Sequence, residues 1–207
     1  MILVYKVIKK TTPFWVVIGL ILLMLVLPFI PGLLSSFNSY GLVVNKPAPE
    51  FELITTRDQP RQLKDYRGQF VYLYFGYLNC NGVCQTHIST FFHLANQTVE
   101  PEFKIAFITM DAERDSQQTL IDRIESISPK FEALRGRNRQ QVQALALQYK
   151  VPFYVEPSGI KEYEINHAGF VFLIDPNGQW RRTYTGRFLD YTKMQQDLQQ
   201  LNQTLKN

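Results

Sequence analysis

Between Lys10 and Lys46 this chain carries no charged side chain. The centre of that interval, Phe14 to Ile30 (FWVVIGLILLMLVLPFI), is almost wholly apolar, and Leu33 and Leu34 extend it. A helix needs roughly 20 such residues to span a bilayer. Pro13 suits a first helical turn, while Pro28 and Pro31 suit a kink and then an exit near the far surface. Trp15 stands where an interfacial aromatic belongs, and the preceding Lys6, Lys9 and Lys10 predict an N-terminus held in the cytoplasm. A cleavable signal peptide would carry an apolar region of only about 7–15 residues followed by a small-residue cleavage site. The run here is longer and shows no clear site of that kind, although Ser35-Ser36 leaves cleavage open. An uncleaved single-pass anchor is expected.

The expected organisation is a cytoplasmic N-terminus at 1–12, a transmembrane anchor at 13–34, a tether at 35–45 and one domain at 46–207. The anchor changes how the charge is read. The 207 residues include 22 Lys+Arg and 18 Asp+Glu, a net charge of +4. Three of those charges precede the apolar run, which leaves +1 for everything after it. No basic stripe remains to bind phosphates, so a nucleic-acid partner is not expected. Apolar residues make up 45% of the chain, too many for a disordered one. Two cysteines exclude a framework of several disulfides and a four-cysteine zinc or iron–sulfur site built from this chain alone.

Within the domain, strand and helix patterns alternate. Phe51–Ile54, Phe70–Phe75, Phe103–Thr109 and Phe170–Ile174 read as strands. Trp180–Tyr184 pairs back on the last of these through an Asp175-Pro176-Asn177-Gly178 turn. Helical spacing is expected over Thr86–Ala95, from a Ser116 cap through Ile127, from an Asn138 cap to Tyr149, and from about Asp190 to Leu205. This is an α/β pattern, in which ligand sites lie at the carboxyl ends of strands.

Cys80 and Cys84 follow the strand Phe70–Phe75. A C-x3-C spacing lets both sulfurs face one side when Cys84 lies in a first helical turn. A helix N-terminus offers free N–H groups and partial positive charge, which favour the thiolate. Two thiolates without a cluster of carboxylates suit Cu(I) or zinc rather than magnesium or calcium. A third donor must come from elsewhere, and His87, His93 and His167 are the candidates. The same thiols can instead act as a catalytic thiol–disulfide pair, with Cys80 attacking and Cys84 resolving, or form a structural disulfide.

Several ordered segments resemble the SCO/SenC copper-chaperone family. Residues 72–84 (YLYFGYLNCNGVC) are similar to its FGYTxCPxVC region. Asp111-Ala112-Glu113-Arg114-Asp115 is similar to its DPERD segment. Asn166-His167, followed by Phe172-Leu173-Ile174-Asp175-Pro176-Asn177-Gly178, is similar to its DH…YLIDPxG segment. Pro47-Ala48-Pro49-Glu50-Phe51-Glu52-Leu53 is similar to its entry strand. The resemblance covers nearly all of residues 46–205 and implies a thioredoxin-like fold with a hairpin inserted before the histidine loop.

It further implies one copper ion held by Cys80, Cys84 and His167. The implied role is delivery of copper to the binuclear copper-centre subunit of cytochrome c oxidase, or reduction of that subunit's cysteines. The domain would then lie on the periplasmic side of an inner membrane, or in the intermembrane space of a mitochondrion. The sequence departs from the family at Asn81 and Gln85, where proline is usual, and at Gly82, where an acidic residue is common. A less rigid and less acidic loop is expected. Asp111, Arg114 and Asp115 read either as a charged support beside the site or as a helix cap with surface charge.

Overall fold

The computed structural model describes residues 2–29, 39–80, 82–97, 100–157 and 163–206, with side chains in the first helix from Phe14 onward. It divides into two units, residues 1–39 and 40–207.

The first unit is helix α1, Ile2–Val26, followed by a 3-10 turn at Leu27–Phe29. The helix begins well before Pro13, where the sequence reading started it, because nothing between Met1 and Thr12 acts as a stop. Pro28 falls in the 3-10 turn, as its missing N–H would suggest. Along Phe14–Leu27 the large side chains are mostly exposed, Met24 the most at 82%. Among the described residues no helix is long and apolar enough to cross a membrane; the described side chains of α1 begin only at Phe14. The expected exit at Pro31 and the first residues of the tether lie outside the described residues.

Among the described residues the second unit is built on a mixed sheet of eight strands. Its centre is β4, Phe70–Gly76, buried along its whole length. Seven consecutive aromatic, aliphatic or small residues without a charge fit a strand between two covered faces. Strand β5, Phe103–Thr109, runs parallel to β4 on one side, and β9, Val171–Ile174, runs antiparallel on the other. Strand β10, Gln179–Tyr184, returns on β9 through the expected turn, whose Gly178 takes φ +72°. Beyond β5 lie β6, Phe131–Arg135, then β2, Glu52–Thr55, and β3, Pro60–Gln62.

The other edge is β1, Leu42–Pro47, antiparallel to β10 with a bulge between Val43 and Lys46. The end of the segment read as a tether is therefore strand. The buried carboxylate of Asp197 also holds this entry, accepting the N–H of Tyr40 at 2.9 Å and of Gly41 at 2.8 Å.

Among the described residues four α-helices belong to the sheet domain: α2, Val83–Asn96; α3, Gln117–Arg123; α4, Arg139–Gln148; and α5, Tyr191–Lys206. Ser116 and Asn138 cap α3 and α4 as expected, their side chains accepting the N–H of Thr119 and Gln141. Helix α3 stops at Arg123, short of Ile127, and after Ile124 a 3-10 turn takes over at Glu125–Ile127.

One aromatic cluster ties the layers together. Tyr149 lies 5.1 Å from Phe172 and 5.5 Å from Trp180, ring centre to ring centre, and Phe75 packs on both Tyr149 and Phe172. Each such side chain, fully buried, contributes about 1.5–3 kcal/mol. Apart from the main sheet stands the expected inserted hairpin, β7, Phe153–Pro157, paired with β8, Tyr163–His167.

Candidate metal centre

The chain leaves β4 at Gly76, where a Cβ would meet the Phe107 and Tyr74 rings at 2.8 Å, so only glycine fits. Buried Asp115 fixes the next step, accepting the N–H of Leu78 at 3.2 Å and the hydroxyl of Thr109 at 2.6 Å. Burial pushes the Asp115 carboxyl up to about 6, against these hydrogen bonds. Helix α2 then begins at Val83, earlier than the expected Thr86, which places Cys84 in its first turn. Asn81 lies outside the described residues.

Cys80 and Cys84 are both buried and both free thiols. The backbone N–H groups of Gly82 and Cys84, at the open end of α2, point at Cys80. The Cys80 thiol is lowered to about 4, chiefly because the Cys84 thiol donates to it; His167 and those N–H groups add to this while burial opposes it. Cys84 moves the other way, since its proton is held by Cys80 and its site is dry. Physically, two adjacent sulfurs share one proton, and Cys80, which accepts the N–H groups at the helix start, carries the charge.

His167 closes the site. Its Nε2 lies 3.3 Å from Cys84 Sγ, and the donor atoms of Cys80, Cys84 and His167 all lie within 4.8 Å of one another. The Nδ1–H donates to the carbonyl of Ala168 at 3.1 Å, which turns Nε2 toward the sulfurs. Two sulfurs and one imidazole make a soft three-donor set of the kind Cu(I) accepts, and no fourth donor joins them among the described residues.

The other two histidines are engaged elsewhere. His87 is buried and donates from Nε2 to the carbonyl of Gly186 at 3.0 Å, with its basicity lowered mainly by burial. His93 is exposed and stacks on Tyr191 at 5.4 Å. A cavity of about 360 Å³ opens from Cys80 and His167 toward Glu156 and Glu164 on the hairpin.

Sequence reasoning missed two tyrosines. Tyr77 sets its ring edge-on to His167 at 5.9 Å, and its hydroxyl accepts the N–H of Ile165. Burial pushes that hydroxyl up to about 12. Tyr163 opens β8 and donates to Asp111 at 2.5 Å. Its only signal in the sequence is a place on the same face of the strand as His167. Asp111 is fully buried and paired with Arg114, so these two are a support reaching the hairpin, while Ser116 caps the helix.

The family model described as SCO1/SenC matches residues 44–203. The mitochondrial SCO1 homologue of Homo sapiens is 30% identical over 68% of this chain, and the chain spans about half of that relative's length, 46%. An SCO2-like protein of Rickettsia prowazekii is 30% identical over 73% of this chain and 75% of its own. Among solved structures, ScoI of Arabidopsis thaliana with copper bound superposes with a TM-score of 0.66 at 22% identity, covering 75% of this chain and 98% of that one. That likeness concerns the fold, including the thioredoxin-like core expected from the sequence.

Proposed function

The chain belongs to the SCO1/SenC family, and on that premise we propose that it binds one copper ion through Cys80, Cys84 and His167 and serves assembly of the copper-centre subunit of cytochrome c oxidase. The observation that carries this reading is the convergence of two buried cysteine sulfurs and one imidazole nitrogen within 4.8 Å. Copper is here a cargo. The chain's own contribution is to hold the thiol pair at a helix N-terminus, keep His167 in one tautomer and leave a cavity through which a partner can approach. Departures at Asn81, Gly82 and Gln85 act on loop stiffness and local charge, hence on affinity and partner choice.

Residues 1–12 are proposed to stay in the cytoplasm, 13–34 to anchor the chain in an inner membrane, and 35–45 to tether the domain on the periplasmic or intermembrane-space side. The charge-free run and its flanking lysines support this.

Titration of the reduced full chain with Cu(I) against a competing chelator tests the copper reading. One equivalent per chain is expected, abolished by Cys80→Ala. A chain that takes up no Cu(I) overturns it.

A second reading is favoured by the lowered Cys80 thiol. Cys80 thiolate attacks a partner's disulfide, forming a mixed disulfide and releasing one partner thiol. Cys84 thiolate then displaces the second, leaving Cys80–Cys84 oxidised and the partner reduced by two electrons. Trapping of a mixed disulfide by Cys84→Ser tests it, and failure to trap one with any disulfide-bonded oxidase subunit counts against it.

A further inference from the structure

His167 sits at the end of a hairpin whose backbone pairs only with itself among the described residues. The main-sheet ladder therefore does not set the position of the third donor. Side chains do, and they converge on Tyr163 and Ile165, which share a face of β8 with His167. Tyr163 Oη donates to buried Asp111 at 2.5 Å. Arg114 donates from Nη1 to the Tyr163 carbonyl at 2.8 Å, and its guanidinium lies 3.7 Å over the Tyr163 ring. The same guanidinium is 6.0 Å from the Tyr77 ring, and Tyr77 takes the N–H of Ile165 and touches His167. Arg139 completes the clamp, donating to Tyr163 Oη at 3.1 Å and pairing with Glu113 at 2.7 Å.

We propose that Tyr163 and Arg114 are positioning residues that set His167 against the Cys80–Cys84 thiols. The inference rests on reading those three residues as a metal centre. Its physical basis is a lever. Tyr163 and His167 are four residues apart on an extended strand, about 13 Å. A strand pinned by Tyr163 at one end and Tyr77 in the middle can present the histidine in one place only. Arg114 joins the two pins, because it contacts both tyrosine rings. Asp111 keeps Arg114 in place by an ion pair buried on the carboxylate side. Without the clamp the hairpin still forms, but the imidazole samples positions away from the sulfurs, and the metal must supply the energy of ordering it.

The test uses the full chain with Tyr163→Phe, which removes one oxygen and keeps the ring beneath Arg114. Arg114→Gln, which loses the donor to the Tyr163 carbonyl, is the second variant. Each is made with His167 intact and in a His167→Ala background. With His167 present, each is expected to weaken Cu(I) binding about 10- to 100-fold, as loss of a ligand's supporting partners does. In the His167→Ala background most of that loss should vanish, since the residues act through the histidine. Equal losses in both backgrounds, or none in either, overturn the proposal.

A metal-free measurement separates this from the copper reading. The ring-nitrogen NMR signals of His167 should move or broaden in both variants while those of His93 stay. If the parent chain takes up no Cu(I), the metal-centre reading fails and these signals still judge the clamp. Unchanged His167 signals then overturn it.

Discussion

Cys84 Sγ and His167 Nε2 meet at 3.3 Å although 83 residues separate them. The strand-to-helix loop delivers one and the inserted hairpin the other. Neither element places its residue without the sheet between them, so the centre is a product of the tertiary fold.

Loss of the imidazole should therefore be felt at the metal and hardly in the fold. His167 is partly exposed at a cavity mouth. In His167→Ala, Cu(I) affinity measured by chelator competition should fall at least about tenfold. The urea midpoint should stay close to the parent's. A large loss of stability with unchanged affinity would contradict the assignment.

The thiols should differ in reactivity. Cys80 is lowered to about 4, so as pH falls it keeps its thiolate long after an ordinary cysteine has been protonated. Alkylation of the reduced chain by iodoacetamide, followed by mass spectrometry, should mark Cys80 first. Its rate should change little from pH 8 down to about 5. A tenfold fall in rate per pH unit over that range would reverse the assignment of the charged sulfur.

Asp115 should leave a signature in stability. Its carboxyl rises from 3.8 to about 6 on folding, mainly by burial. The folded state thus binds the proton more tightly, and this contribution is complete below about pH 4 and lost as pH rises through about 6. A shift of this size corresponds to about 3 kcal/mol at most. Urea unfolding from pH 4 to 7 should show a downward slope in the parent that is reduced in Asp115→Asn. Identical slopes would show that the carboxyl is not strained by its site.

Phe172 anchors the aromatic cluster and is fully buried. Phe172→Ala should cost about 3–5 kcal/mol in denaturant unfolding, the range for emptying an aromatic-sized site. A cost below about 1 kcal/mol would mean that Tyr149 and Trp180 collapse into the gap, as a site that can relax allows.

The central strands were legible because β4 is an uninterrupted charge-free run and β5 is apolar or aromatic except for Lys104 and Thr109, a pattern that a doubly covered sheet explains. Caps at Ser116 and Asn138 were legible because their chemistry is local. Strand β6 was not read. Its five residues include Glu132 and Arg135, and only pairing with β5 and β2 makes them strand. Strand β1 was hidden for the same reason, since residues 42–45 resemble tether until β10 supplies a partner. At the site, the cysteines announced themselves by spacing and position. The choice of His167 came from family resemblance, because the sequence holds three histidines and spacing cannot rank groups brought together by folding. Tyr77 and Tyr163 were silent, as tyrosines in or just beyond strands usually mean core.

The sheet's two borders have a consequence for life at high local concentration. One border, β1, carries a bulge, Lys46 and Pro47; the other, β3, is three residues long and begins with Pro60. Neither offers a long, flat row of free N–H and C=O groups to a neighbour. Crowded copies of the domain would find no template for edge-to-edge growth at either border of this sheet.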